Sequence, residues 1–221
     1  EAYNEFLPLA QAGVTQVRDQ IPWREVQPNG PGDWDPSRLD NLFGGAARAG
    51  VSVVGILGQP PRWASACGTS RGYDWSCANP DGSNKEYWDW SIPSAFKDEF
   101  ATFARRLVER YGQNGTFWPG FEATHENVAR RPVRAFEILN EPWFSRFWGG
   151  RCPNPRRYAR LVEAVGTEIL DVTRGQNPPT RVLISGDLYQ NWDWPHDEPN
   201  DGITPRVSTP LSCPGETPTD W

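Results

Sequence analysis

Apolar positions follow two rhythms along the chain, and the rhythms alternate. Residues 1–12 have helical character and run to Gly13, after which 14–19 (VTQVRD) reads as a strand. Asp35-Pro36 has the form of a helix N-cap followed by proline in the first turn. Leu39, Leu42, Phe43, Ala46 and Ala47 then recur at helical spacing until Gly50 closes the helix. Residues 51–57 (VSVVGIL) form a continuous apolar, β-branched run, the pattern of a strand covered on both faces. A loop over 58–93 follows, carrying Trp63, Trp75, Trp88 and Trp90; loops of that length in a compact domain are usually functional. The next helix is predicted over 94–111, with Phe96, Phe100, Phe103, Leu107 and Tyr111 on one stripe. Pro132-Val133 leads into a strand at 134–139 (RAFEIL). Asn154-Pro155 opens a helix striped by Tyr158, Leu161, Val162, Val165, Ile169 and Val172, which ends at Gly175. A fourth strand is predicted at 181–185 (RVLIS).

Periodicity stops after Gly186, so 1–186 is expected to be the folded α/β part and 187–221 a proline-rich loop or tail over its carboxyl face. The order is α-β repeated four times. Strands separated by helices pair in parallel through right-handed crossovers. That leaves an open doubly wound sheet or part of a (β/α)8 barrel. A nucleotide-binding sheet needs a glycine fingerprint after its first strand, but here the first strand runs into Gln20-Ile21-Pro22-Trp23, and Gly44-Gly45 lies inside a helix. The expectation is therefore a TIM-barrel type with about half of the barrel present.

Composition narrows the function classes. The 221 residues carry 22 basic and 28 acidic side chains, a net charge of −6, and all but two of the bases are Arg. Such a chain is not built for nucleic acid or an anionic membrane. No apolar run approaches the roughly 18 residues of a bilayer span, and no signal peptide is visible. Met is absent, so the chain is expected to be a processed or excised piece. Twelve tryptophans suggest either core filling or aromatic platforms for sugars. Cys67, Cys77, Cys152 and Cys213 include no CxxC, and with only His125 and His196 in the chain neither a metal nor another cofactor is expected. Their loop surroundings suggest disulfides and a secreted protein. Cys67 and Cys77 share one loop. Cys152 and Cys213 follow consecutive strands on one face, so the expected pairs are Cys67–Cys77 and Cys152–Cys213. Asn114-Gly115-Thr116 is a glycosylation sequon, meaningful in a eukaryotic source.

Phe136-Glu137-Ile138-Leu139-Asn140-Glu141-Pro142-Trp143 places Asn-Glu-Pro at the carboxyl end of a parallel strand, where barrels carry their catalytic groups. A carboxyl group among Trp side chains there can be partly desolvated, stay protonated, and deliver its proton to a departing oxygen. Three other stretches stand beside it: Val17-Arg18-Asp19-Gln20-Ile21-Pro22-Trp23-Arg24-Glu25-Val26-Gln27-Pro28, Trp34-Asp35-Pro36-Ser37-Arg38-Leu39-Asp40, and Gly58-Gln59-Pro60-Pro61-Arg62-Trp63-Ala64. Together they resemble the retaining glycoside hydrolases of clan A, in particular families 39 and 5, from about Leu7 to Gly186. The resemblance implies O-glycosidic bond hydrolysis on a carbohydrate substrate, with Glu141 as general acid/base and Asn140 bonding the sugar 2-hydroxyl. It implies that Arg18 sits beneath the nucleophile and that Trp23, Trp63 and Trp143 wall the sugar subsites. Ordinary packing is the competing reading for each Trp, and a buried ion pair with Glu137 for Arg18.

In that clan the nucleophile closes strand seven. Here the resemblance covers helix one to strand five, and neither Glu198 nor Glu216 has a matching motif. Double displacement needs two carboxyl groups about 5 Å apart, so the nucleophile is expected outside this chain and the excerpt alone inactive. Two rivals are an inactive carbohydrate-binding protein with a Trp-lined groove, and a metal site from His196, Asp197, Glu198 and Asp201.

Overall fold

The computed structural model describes residues 2–65, 92–142 and 155–184. The helical stripes become the inner faces of helices. On α3 (Ser37–Ala49), Leu39, Leu42, Phe43, Ala46 and Ala47 are all buried. Its start is held by Asp35, whose Oδ1 accepts from the Ser37 backbone N–H at 3.0 Å. Its end is Gly50 at φ 78°, a left-handed conformation in which the Gly50 N–H still reaches the Ala46 and Ala47 carbonyls. On α4 (Lys97–Tyr111), Phe100, Phe103, Leu107 and Tyr111 are wholly buried, each burial being worth roughly 1.5–3 kcal/mol. Leu161, Val165 and Ile169 do the same for α6 (Pro155–Val172), which lies against α4. α1 (Ala2–Gln11) packs on α3, where Gly45 lets the two backbones approach.

The strands are β1 (Gln16–Pro22), β2 (Ser52–Gly58), β3 (Ala135–Ile138) and β4 (Arg181–Ile184). All pair in parallel in the order β1-β2-β3-β4. No strand is skipped and the order never reverses. A doubly wound sheet has a reversal point; a sheet wound in one direction is what a partial α/β barrel requires. Register places Gln20 opposite Ile56, Ile56 opposite Glu137, and Glu137 opposite Leu183. Side chains alternate between faces. Ile21, Val53, Leu57, Phe136 and Ile138 therefore share the face that joins the helical core. Gly55 makes room on it, since a Cβ there would stand 3.0 Å from both Ile21 and Phe136. Arg18, Val54, Ile56, Ala135, Glu137 and Leu183 share the other face, and among the described residues no helix of the core cluster covers it.

The pattern missed two helices. α2 (Trp23–Val26) is a single turn directly after β1, and α5 (Phe117–Thr124) buries Trp118, which bonds the Tyr111 and Gly112 carbonyls at the end of α4, and Phe121, whose ring lies against Gly44 of α3. β1 begins two residues later than the pattern predicts and continues through Pro22, because it pairs with β2 along its whole length. No described helix is long and apolar enough to cross a membrane.

Candidate active site

Parallel pairing brings the carboxyl ends of all four strands to one edge of the sheet. β3 ends at Ile138, and the chain leaves it by an abrupt path. Leu139 and Glu141 both have left-handed backbone, at φ 57° and 43°, with Asn140 between them. Gln59, just past the end of β2, is left-handed at φ 52°. Such conformations are costly for residues with a Cβ, by about 1–2 kcal/mol each, and recur where a site needs a side chain aimed in a set direction. Tertiary contacts hold them in place. The Leu139 N–H donates to the Leu57 carbonyl at 2.9 Å, and the Tyr158 hydroxyl of α6 donates to the Ile138 carbonyl at 2.8 Å.

Arg18 of β1 reaches across β2 toward this edge. Its Nε donates to Glu137 Oε2 at 2.5 Å and its Nη2 to Glu137 Oε1 at 2.7 Å, a two-point fork. The Glu137 side chain is only 9% exposed, against 47% for Arg18. Ile56, on the intervening strand and the same face, is left 2% exposed. Arg18 Nη2 also donates to Asn140 Oδ1 at 2.7 Å. A guanidinium only donates, so this contact assigns the Asn140 amide: the oxygen faces Arg18 and Nδ2 faces away. Nδ2 in turn lies 3.4 Å from Glu141 Oε2. Glu137, Arg18, Asn140 and Glu141 thus form one hydrogen-bonded chain along the edge. Donating to the Glu137 carboxylate raises the Arg18 pKa above its usual value, burial opposes it, and the charges of Glu137 and Glu141 add to the rise.

The tryptophans divide. Trp23 is not a groove wall: it is 0% exposed, donates from Nε1 to Gln27 Oε1 at 2.6 Å, and packs against Trp63, Phe100 and Phe103. The α2 turn swings its ring into the helical core. Trp63 is half-buried, donates to the Gln27 carbonyl at 2.8 Å, and meets Trp23 and Phe96 edge-on. Trp143, the four cysteines and the residues from His196 to Asp201 lie outside the described residues, as does the tail from 187 to 221. Sequence reasoning gave Glu137 no role beyond a partner for Arg18. Its signal was a lone acid inside an apolar strand, where a charge needs a partner.

No protein-family model matches the chain. Among solved structures it is similar to a family 39 glycoside hydrolase from the gut symbiont Bacteroides cellulosilyticus WH2. The TM-score is 0.48 and the identity 14%, over 83% of this chain and 28% of that chain. The chain spans little more than a quarter of that structure's length.

Proposed function

We propose that this chain is the acid/base half of a retaining glycoside hydrolase, part of a (β/α)8 barrel that cleaves O-glycosidic bonds in a poly- or oligosaccharide. The observation that carries the reading is Asn140-Glu141 at the carboxyl end of β3, with the Asn140 amide oriented by Arg18. In this reading Glu141 protonates the glycosidic oxygen as the C–O bond breaks, while a second carboxylate from beyond these residues attacks the anomeric carbon. A covalent glycosyl-enzyme results. Glu141, now ionised, takes a proton from the water that releases the sugar. Asn140 Nδ2 donates to the sugar 2-hydroxyl, and Trp63 and Trp143 flank the subsites.

The test uses the full-length protein and a panel of glycosides. Glu141→Ala is expected to lower turnover of substrates with poor leaving groups by about 10²–10⁴-fold, and of activated aryl glycosides far less, because only the former need protonation. Azide is expected to restore part of the turnover of the activated substrates. Equal loss on both kinds, without rescue, removes Glu141 from this role. Sugar binding with no turnover of any substrate by the wild type identifies a carbohydrate-binding protein instead.

A further inference from the structure

We propose that Glu137 is a positioning residue for this reaction, acting through Arg18 to set the orientation of the Asn140 amide. The proposal rests on the reading of Asn140 and Glu141 above and adds a residue to it. Glu137 sits on a paired strand with its side chain almost fully buried, so its carboxylate is a fixed point. Arg18 is the opposite, a long side chain 47% exposed, whose rotamer freedom is removed by its hydrogen-bond partners. The two-point fork onto Glu137 fixes the guanidinium plane, and the same Nη2 then meets Asn140 Oδ1. Asn140 lies between two left-handed residues, so its backbone direction is set, but its amide can still turn about its own axis. The contact from Arg18 removes that freedom and turns Nδ2, the donor, away from β1.

Replacing Glu137 by glutamine keeps the shape and removes the charge. One oxygen becomes an NH2 donor facing the Arg18 donors, so the fork cannot form on both atoms. Arg18 is left without its fixed counter-ion, and Glu141, whose charge already acts on it, is the anion toward which it can shift. Either movement releases the Asn140 amide.

The experiment compares two probes in the full-length protein: the 4-nitrophenyl glycoside that the wild type turns over best, and its 2-deoxy counterpart. With Glu137→Gln we expect kcat on the 2-hydroxy substrate to fall about 10–100-fold while KM changes less than about threefold, the signature of a contact made mainly in the transition state. On the 2-deoxy substrate the loss should shrink to less than about threefold, since the contact that Glu137 supports is then absent. Asn140→Ala should show the same dependence on the 2-hydroxyl, and the double variant should lose little more than either single one. If Glu137→Gln does not fold, judged by circular dichroism, Glu137→Asp carries the same test: it keeps the charge but shortens the reach, and the same pattern is expected with a smaller loss. Equal losses on both substrates, or losses that multiply in the double variant, overturn the proposal. These outcomes are separable from the fate of the parent reading. If Glu141 passes its leaving-group test while the Glu137 loss ignores the 2-hydroxyl, only this inference falls; if Glu141 fails, both fall.

Discussion

Arg18 and Tyr111 show how single polar groups are set by what lies behind them. Arg18→Lys keeps the charge but replaces a planar fork with a point donor. The nearly buried Glu137 then keeps one hydrogen bond from residue 18 where it had two. Because Arg18 is half exposed, the expected cost is well below that of a buried pair, about 1–2 kcal/mol by urea denaturation. An unchanged midpoint together with wild-type turnover would show that the fork is dispensable. Tyr111 is wholly buried, and its hydroxyl donates to Asp40 Oδ1 at 2.6 Å, beside the Arg110–Asp40 ion pair. Burial first, and the Asp40 carboxylate second, raise its pKa well above the ordinary value of 10.0. A folded-state pKa above the unfolded one contributes stability that is complete below about pH 10 and lost as the pH rises beyond it. Unfolding midpoints should therefore fall between pH 10 and 12, and Tyr111→Phe should flatten that fall. The same alkaline slope in both proteins would contradict this account.

At the scale of elements, the close crossing of α1 and α3 is the most sensitive joint. A Cβ on Gly45 would stand 2.6 Å from the Tyr3 backbone nitrogen and 2.9 Å from the Ala2 Cβ. These are backbone and near-backbone atoms, so one helix must move. Gly45→Ala gains up to about 1 kcal/mol of helix propensity but overpacks the joint, and a net loss of about 1–3 kcal/mol is expected. Gly44→Ala meets ring edges alone, Phe121 at 3.2 Å and Phe117 at 3.5 Å, and the nearer ring can shift by a few tenths of an ångström. Thermal melts of the two variants should separate clearly, with Gly45→Ala the lower. The elements that periodicity found were the long striped ones, α3, α4 and α6. Those it missed, α2 and α5, span one turn and two turns, too little for a stripe to repeat. Trp23 was misread for the same reason: without α2, nothing in the local pattern says that its ring turns inward.

At the scale of the molecule, we propose that the cysteines pair as Cys67–Cys77 and Cys152–Cys213 in a secreted protein, the second bridge drawing the carboxyl-terminal tail over the sheet edge that holds Glu141. Closing a loop of about sixty residues is worth roughly 4 kcal/mol in the chain-entropy model, less any native strain. Peptide mapping without reductant should recover both pairs from native material. A Cys67–Cys152 bridge, or four free thiols, would place the tail or the compartment elsewhere.

What the chain determined by itself was what a pattern repeated along one segment can carry. The helical stripes, the apolar strands, the stop at Gly50 and the seating of Asn140-Glu141 just beyond a strand all follow from spacing that a single segment carries. Strand order was half legible: alternation of helix and strand requires parallel pairing, but only the assembled sheet gave β1-β2-β3-β4 without reversal. The site itself was decided by tertiary structure. Arg18 and Glu137 are 119 positions apart, on strands that do not pair with each other. They meet because the register of two successive ladders puts both on the same face, and slipping either ladder by one residue would turn one of them to the opposite side. Local periodicity carries no information about that register, which is set when the helices between the strands pack their stripes into a common core.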